Sequence, residues 1–490
     1  MDNKRRIYVL QDLTPEVRAV TFAKCSRSPE PFDQIAKDLT AEKSAEFHEK
    51  WVVGFGHSSV AEHAVLSVAF ENVSILATKV LEDTRLASFT EKSTRYQVFN
   101  RDKCYYPANI MASEFKDLYV STISSLFNFY EKLESPMMDF VKQKYPQEKK
   151  QADLVYKSIT KSRACDNIRY LLPAATLTSL GMTINARAFE HLLVKLLSHP
   201  LQEMNDIGRE AKERGLDEVP TLIKFADSNQ YLQESAGAVR ETVKTLKKST
   251  HSESPVVLVD YDQEAENKIF AALLYRESQL SYQEIFKQVK NWSQQQKEEF
   301  LTKVNQSRTK FDQLLREFEH AYYTFDILMD YGAFRDIQRH RMATQTNQRV
   351  TVVHGYETPN EIIEAGFKDK FVAVMENAQS AYSKIVEKFP EEAQYLVPLA
   401  YRKRLLITWN LRELSHFVPL RSGQKGHASY RRIAQLVWDE LNKIHPLLAK
   451  YVAVDKSDQT TSWASTMYSE EFVYNPHKAR EERKSNENKS

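Results

Sequence analysis

The chain has 490 residues, room for two or three domains and a large core without disulfides or metals. Glycine is scarce, 11 residues or about 2% against a usual 7%, and neither GxGxxG nor GxxxxGK(S/T) occurs, which excludes a glycine-rich dinucleotide or P-loop architecture and favours a mostly helical protein. Sixty-eight basic against 66 acidic residues give a net charge of +2, so the balance implies neither a nucleic-acid nor a membrane surface.

In chain order, MDNKRRIYVL has a basic start but only four apolar residues after it, and no signal peptide is expected. No apolar run approaches the roughly 18 residues of a membrane span. From Ile7, IYVLQDLTPEVRAVTFAK reads as a short β-like run, an acidic turn and a helix. The same plan returns from Val256 as VVLVDYDQEAENKIFAAL, with Phe22 and Phe270 in matched places. Glu62-His63-Ala64 recurs as Glu319-His320-Ala321, and alternating apolar residues near Phe70 and Phe325 predict strands. Arg85-Leu86-Ala87-Ser88 recurs as Arg341-Met342-Ala343-Thr344. PAATLTSLGMTINARAFEHLL from Pro173 matches PLAYRKRLLITWNLRELSHFV from Pro398, each leading through Asn185 or Asn410 into a helix.

Four landmarks in one order predict two diverged copies of one domain. The boundaries expected are 1–247, a polar linker at 248–255, a second copy at 256–478 and a charged, disordered tail at 479–490. The second copy carries an insertion, WSQQQKEEFLTKVNQSRTKFDQLLREFEH, that reads as a solvated amphipathic helix. The fold class expected is α+β, mostly helical with a smaller antiparallel sheet per copy.

Two clusters offer chemistry. Arg339-His340-Arg341 combines forked donors for phosphate or planar oxygens with a titratable ring, although the triplet alone also fits a solvated basic turn. The first copy has Asp83-Thr84-Arg85 at that place. In SFTEKSTRY, alternation puts Glu91, Ser93 and Arg95 on one side of an extended segment, as a polar pocket or as a surface salt bridge. The second copy reads Asn347, Arg349 and Thr351 there. His57, Glu62 and His63 lack the i,i+4 spacing of a zinc site, so no metal is expected. The odd set Cys25, Cys104 and Cys165 has no CxxC pair and reads as thiols of a reducing cytosol. Cys165, near Arg169, is either an activated nucleophile or a buried bystander.

The two clusters together resemble RHRxxSxNExSxRY, the signature of the flavin-dependent thymidylate synthases, divided here between the two halves. GHSSVAEH from Gly56 resembles that family's GHxSxxEH. Its downstream pattern is similar to Arg169…Leu172-Pro173…Asn185-Ala186-Arg187 and to Val397-Pro398…Asn410-Leu411-Arg412…Leu420-Arg421. The resemblance implies a tandem duplication of an α+β subunit that elsewhere forms homotetramers with FAD and dUMP held between subunits. It implies conversion of dUMP to dTMP with methylenetetrahydrofolate as carbon donor and NADPH as reductant, in the cytoplasm. In the family, the triplet and the last arginine come from one subunit, and the E-x-S-x-R segment and pre-proline arginine from its neighbour.

Here the losses are complementary. The first copy keeps Glu91, Ser93, Thr94, Arg95 and Arg169 but has Leu196 for the last arginine. The second keeps Arg339, His340, Arg341 and Arg421 but has Gln394 at the pre-proline place. The resemblance therefore implies one composite site per pair of halves, an abandoned twin, and a homodimer forming a pseudo-tetramer. Glu91, Ser93, Thr94, Arg95, Arg169, Arg339 and Arg421 would bind the nucleotide, with Arg421 also the catalytic group. His57, Ser59, Arg339, His340, Arg341, Asn410 and His416 would hold the flavin. Thr344 replaces the motif serine, His416 stands in an asparagine position, and SGQKGHASYRR is two residues longer than its SHAQ counterpart. These departures motivate two alternatives: another flavin- or folate-dependent C5 modification of a pyrimidine nucleotide, and a non-catalytic flavin- or nucleotide-binding paralogue.

Overall fold

The structure, a computed structural model, describes residues 5–149, 151–246, 254–424 and 426–457. Most of the expected linker, the end of the second copy and the whole of 479–490 lie outside these residues. The described residues form two small antiparallel sheets flanked by helices. The first contains β1 (Val65–Ser74), β2 (Ala87–Glu91) and β3 (Leu177–Asn185) in the order β1-β3-β2. The second contains β4 (Val256–Tyr261), β5 (Tyr322–Asp330), β6 (Thr344–Asn347) and β7 (Arg402–Asn410) in the order β4-β5-β7-β6. Helices outnumber strands in both halves.

The copies match element by element. Phe70 faces Leu180 across β1 and β3, as Phe325 faces Ile407 across β5 and β7, and all four side chains are buried. The strands end on equivalent helix caps, which satisfy the otherwise orphaned amides of the first turn. Ser74 Oγ accepts from the Ala77 amide at 2.9 Å and Asp330 Oδ1 from the Ala333 amide at 2.8 Å. Asn185 and Asn410 likewise cap the helices Ala186–Leu197 and Leu411–Ser422, at 2.9 and 2.8 Å.

The halves meet about a local two-fold axis. Pro173 and Pro398, equivalent residues, form an antiparallel bridge. The Ala174 amide donates to the Val397 carbonyl at 2.9 Å and the Leu399 amide to the Leu172 carbonyl at 2.9 Å, a reciprocal pair. One hydrophobic core runs through both halves, taking in Leu172 and Ala174 with Leu399 and Ala400.

Two sequence expectations need correction. The run from Ile7 is not a strand: Ile7 is 88% exposed, and Arg6 and Tyr8 bond instead to the Asp33 carboxylate at 2.9 and 3.1 Å, drawing the segment away from β1. Its counterpart β4 does pair with β5. The insertion is not one solvated helix. It is α-helical over Gln294–Asn305, where Leu301 is buried and Phe300 packs edge-on against Phe270 and Trp292, and it ends in a separate 3-10 helix at Arg316–His320.

Candidate active site between the two halves

Glu91 ends β2 with its side chain fully enclosed. It accepts from Thr78 Oγ1 at 2.9 Å, Lys79 Nζ at 3.1 Å and Arg335 Nη2 at 2.8 Å, with Arg339 Nη2 at 3.6 Å. Lys79 and Arg335 each lie five residues beyond their helix caps, Ser74 and Asp330, so the two-fold brings equivalent cations from both halves onto one carboxylate. Burial opposes ionisation, but the charges of Arg335, Lys79 and Arg339 outweigh it and hold the Glu91 carboxyl at about 2. Lys79 is also paired with Glu82.

Beside this knot lies an arginine cluster. Arg95 grips Asp166 through two parallel bonds, Nε to Oδ1 at 2.7 Å and Nη2 to Oδ2 at 2.9 Å, and its Nη1 donates to Tyr430 of the second half at 3.2 Å. Arg169 is 2% exposed, and its Nε and Nη2 have no hydrogen-bond partner. Asp336 lies 4.0 Å from Arg169 Nη1 and 3.8 Å from Arg421 Nη1. Arg169 also passes close to Gly332, where a Cβ would sit 3.0 Å from Asp330 Oδ1 and 3.4 Å from Arg169 Nη2.

His340 is buried between Glu413, 3.2 Å from Nδ1, and Arg421, whose Nε donates to Nε2 at 2.9 Å. A guanidinium only donates, so Nε2 is the acceptor and the proton sits on Nδ1, toward Glu413. Burial also lowers the His340 pKa, against the pull of Glu413. Phe417 packs edge-on at 4.9 Å, and the exposed His416 ring lies 5.7 Å away. Arg341 Nη1 donates to the Arg85 carbonyl at 3.2 Å, across the halves.

The structure thus brings together Glu91, Thr94, Arg95, Arg169, Arg339, His340 and Arg421. Strand β2 stops at Glu91, and 94–96 form a turn, so the expected alternation of Glu91, Ser93 and Arg95 on an extended segment does not occur. Ser93 Oγ accepts from the Arg95 amide at 3.2 Å, closing the turn, and Thr94 accepts from Arg335 Nη1 at 3.0 Å. Asn410 uses its side-chain oxygen as a helix cap. His57 and Ser59 are exposed in the first half, with His57 held against Trp51, and no described contact links them to the arginines. Arg335 and Asp336 were not foreseen. The available signal was spacing: they stand four and three residues before Arg339, and the counterpart of Arg335 is the basic Lys79.

The twin position is spent internally. Asp83 pairs with Lys195 and Arg349 with Glu391, Leu196 is fully buried, and Gln394 Oε1 accepts from the Val350 amide at 3.2 Å. Asn347 accepts from Lys403 Nζ at 3.0 Å. A cavity of about 900 Å³ backs onto the Arg95–Asp166 pair, lined by Asp166 and Tyr170 of the first half and Asp330, Arg402, His427 and Ser429 of the second, but not by Arg95, Arg169 or Arg421. We place the candidate chemistry at the arginines, where polar groups from both halves converge, rather than in this larger space. Its pseudo-symmetric counterpart, beside Tyr395 and Pro107, holds only about 10 Å³. Cys104 and Cys165 are buried, and burial pushes both thiols up to about 12, so neither is activated. No described helix is long and apolar enough to cross a membrane.

A family model described as thymidylate synthase complementing protein matches residues 9–221 and again 257–447. A UPF0159 protein of Chlamydia pneumoniae is 33% identical over 492 residues, covering 92% of each chain. The flavin-dependent thymidylate synthase of Clostridium tetani is 26% identical over 220 residues, 43% of this chain and 82% of that one. Among solved structures, the Helicobacter pylori flavin-dependent thymidylate synthase complexed with FAD and dUMP matches 41% of this chain and all of its own, at 19% identity and a TM-score of 0.30. With two family matches in series and an internal two-fold joining them, the chain belongs to the flavin-dependent thymidylate synthase family, as a tandem of two diverged copies.

Proposed function

We propose that the chain converts dUMP to dTMP by FAD-dependent reductive methylation, with methylenetetrahydrofolate as carbon donor and NADPH as reductant, at one composite site between its halves. The convergence of Arg95 and Arg169 from the first copy with Arg339 and Arg421 from the second carries this reading, because the residues left in each copy complete one site and leave the twin without donors. The orphaned Nε and Nη2 of buried Arg169 fit an anionic ligand such as a nucleotide phosphate. Arg421 stabilises charge on the pyrimidine N3/O4 edge, acting as a donor and not as a base. Glu91, clamped in the ionised state, positions Arg335 and Arg339.

FAD, when bound, supplies the hydride relay from NADPH. Its holders in this reading are Arg339, which is 42% exposed and able to meet a phosphate-bearing cofactor, with His340, Arg341, His416, His57 and Ser59. Asn410 supports them by capping the helix that carries His416 and Arg421. His340 keeps Arg421 in place through its acceptor nitrogen. The reading includes a cytoplasmic homodimer. The three thiols are unpaired, and the helix Gln230–Val243 buries none of its residues while exposing Tyr231 and Val239, a face that a second copy would cover.

The test is reconstitution of the full chain with FAD, reduction by NADPH, and mass spectrometry of the product formed from dUMP and methylenetetrahydrofolate. dTMP is expected. A different C5-modified nucleotide would establish the neighbouring enzyme class, and protein that takes up no FAD would overturn both enzymatic readings.

A further inference from the structure

We infer that Asp336 is a resident counter-charge that matches the arginine cluster to a dianionic phosphomonoester and sets it against di- and triphosphates. The inference rests on the nucleotide-site reading above and adds a specificity-determining residue to it.

Four guanidinium groups converge here: Arg95, Arg169, Arg339 and Arg421. Asp166 neutralises Arg95 through a bidentate pair. Asp336 differs in kind. Its two oxygens lie 4.0 Å from Arg169 and 3.8 Å from Arg421, beyond hydrogen-bond length, so it offsets their charge without occupying their donors. Arg169 accordingly keeps Nε and Nη2 unpartnered, although only 2% of the residue is exposed. Asp336 keeps 19% of its side chain exposed, unlike the fully enclosed Glu91. The carboxyl is held below the usual range: burial opposes ionisation, but Arg169, Arg421, Arg95 and Arg339 prevail, in that order.

The nearby histidines add no charge. His340 is an acceptor toward Arg421, and burial pushes His427 down to about 3. Glu91 and Glu82 are balanced by Lys79 and Arg335 in the adjoining knot. Outside that knot, Asp166 and Asp336 are the carboxylates within 4.0 Å of the four arginines, while Glu413 sits across the His340 ring from Arg421; the guanidinium groups less these two aspartates leave a formal charge of +2, the complement of one phosphate dianion. A first phosphate reaches the free donors of Arg169. A second or third places further negative charge beside Asp336, beyond what the +2 of the cluster offsets.

Calorimetric titration of the full chain with dUMP, dUDP, dUTP, inorganic phosphate and pyrophosphate tests the inference. Wild-type protein should bind dUMP most tightly. Asp336→Asn should gain about ten-fold in affinity for dUTP and pyrophosphate relative to dUMP, the effect of one unit charge acting through a partly wet cleft. Asp336→Glu should keep the wild-type ranking, and Asp336→Ser replaces the asparagine variant if that one fails to fold. A merely structural aspartate would weaken every ligand alike. Wild-type binding of dUMP with an unchanged ranking in the neutral variants would overturn this inference and leave the nucleotide site standing. Failure of wild-type protein to bind dUMP would overturn the site reading itself.

Discussion

Arg335 Nη2 lies 2.8 Å from Glu91 Oε1, and the two residues belong to different halves of the same chain. The contact between Arg95 and Tyr430 and the reciprocal bonds around Pro173 and Pro398 cross the halves in the same way. The contacts that build the proposed composite site thus lie within one chain. Arg95→Ala and Arg421→Ala should each abolish turnover, and mixing the two inactive chains should restore nothing. Activity recovered in the mixture would mean that the productive pairing is between chains.

The Glu91 knot makes stability depend on acid. Its carboxyl sits at about 2 in the folded chain against an ordinary 4.5, so it stabilises the fold fully above the ordinary value and loses that contribution as the pH falls through 2. Arg335→Met leaves the carboxylate with Lys79 and the more distant Arg339 and should cost about 3–5 kcal/mol at pH 7, as removal of one partner from a buried pair does. Urea unfolding at pH 7 and pH 3 measures both effects. In Glu91→Gln the loss between those values should be smaller than in wild type.

Lys403 acts in the opposite sense. Its ammonium lies 3.6 Å from the centre of the Phe334 ring, with Asn347 as a neutral partner, and burial, reinforced by Lys79, lowers its pKa to about 7. Charging it is unfavourable only in the folded state. The cost is complete below about 7 and shrinks as the pH rises toward the unfolded value of 10.5. Lys403→Met should therefore stabilise the chain by about 1–3 kcal/mol at pH 6 and by less at pH 9. An equal gain at both values would show that the side chain titrates normally.

The duplication was legible because each landmark has a chemical reason to persist in both copies: Asn185 and Asn410 cap helices, and Phe70 and Phe325 fill the same core position. The family's split signature pointed to Arg95, Arg169, Arg339 and Arg421 before any geometry. The sequence concealed how their charges are balanced. Asp166, Arg335 and Asp336 act across separations of 71 to 244 residues, so even the short spacing of Arg335 and Asp336 to Arg339 does not reveal their partners. Alternation misled at Ser93 because the ladder ends at Glu91, where the buried carboxylate needs its cations more than the strand needs a further residue. The segment from Ile7 misled because strand propensity does not reveal a side-chain anchor such as Asp33.

Stoichiometry exposes the composite-site reading most directly. A duplicated chain with two intact sites would take two nucleotides and two flavins. Here Leu196 fills the place of the last arginine, Arg349 is tied to Glu391, Asp83 is tied to Lys195, and the cavity beside Tyr395 has closed. Restoring one donor would not reopen that site, because its remaining polar groups are already paired with one another. Each chain should bind one FAD and one dUMP. Arg95→Ala and Arg421→Ala should combine with strong non-additivity, since removing either disables the same unit. Lys195→Ala, on the twin side, should leave turnover within about two-fold of wild type, as for an exposed ion pair worth less than 1 kcal/mol. Titration of the FAD-loaded chain with dUMP decides the matter: two equivalent nucleotide sites per chain would rule out a single composite site.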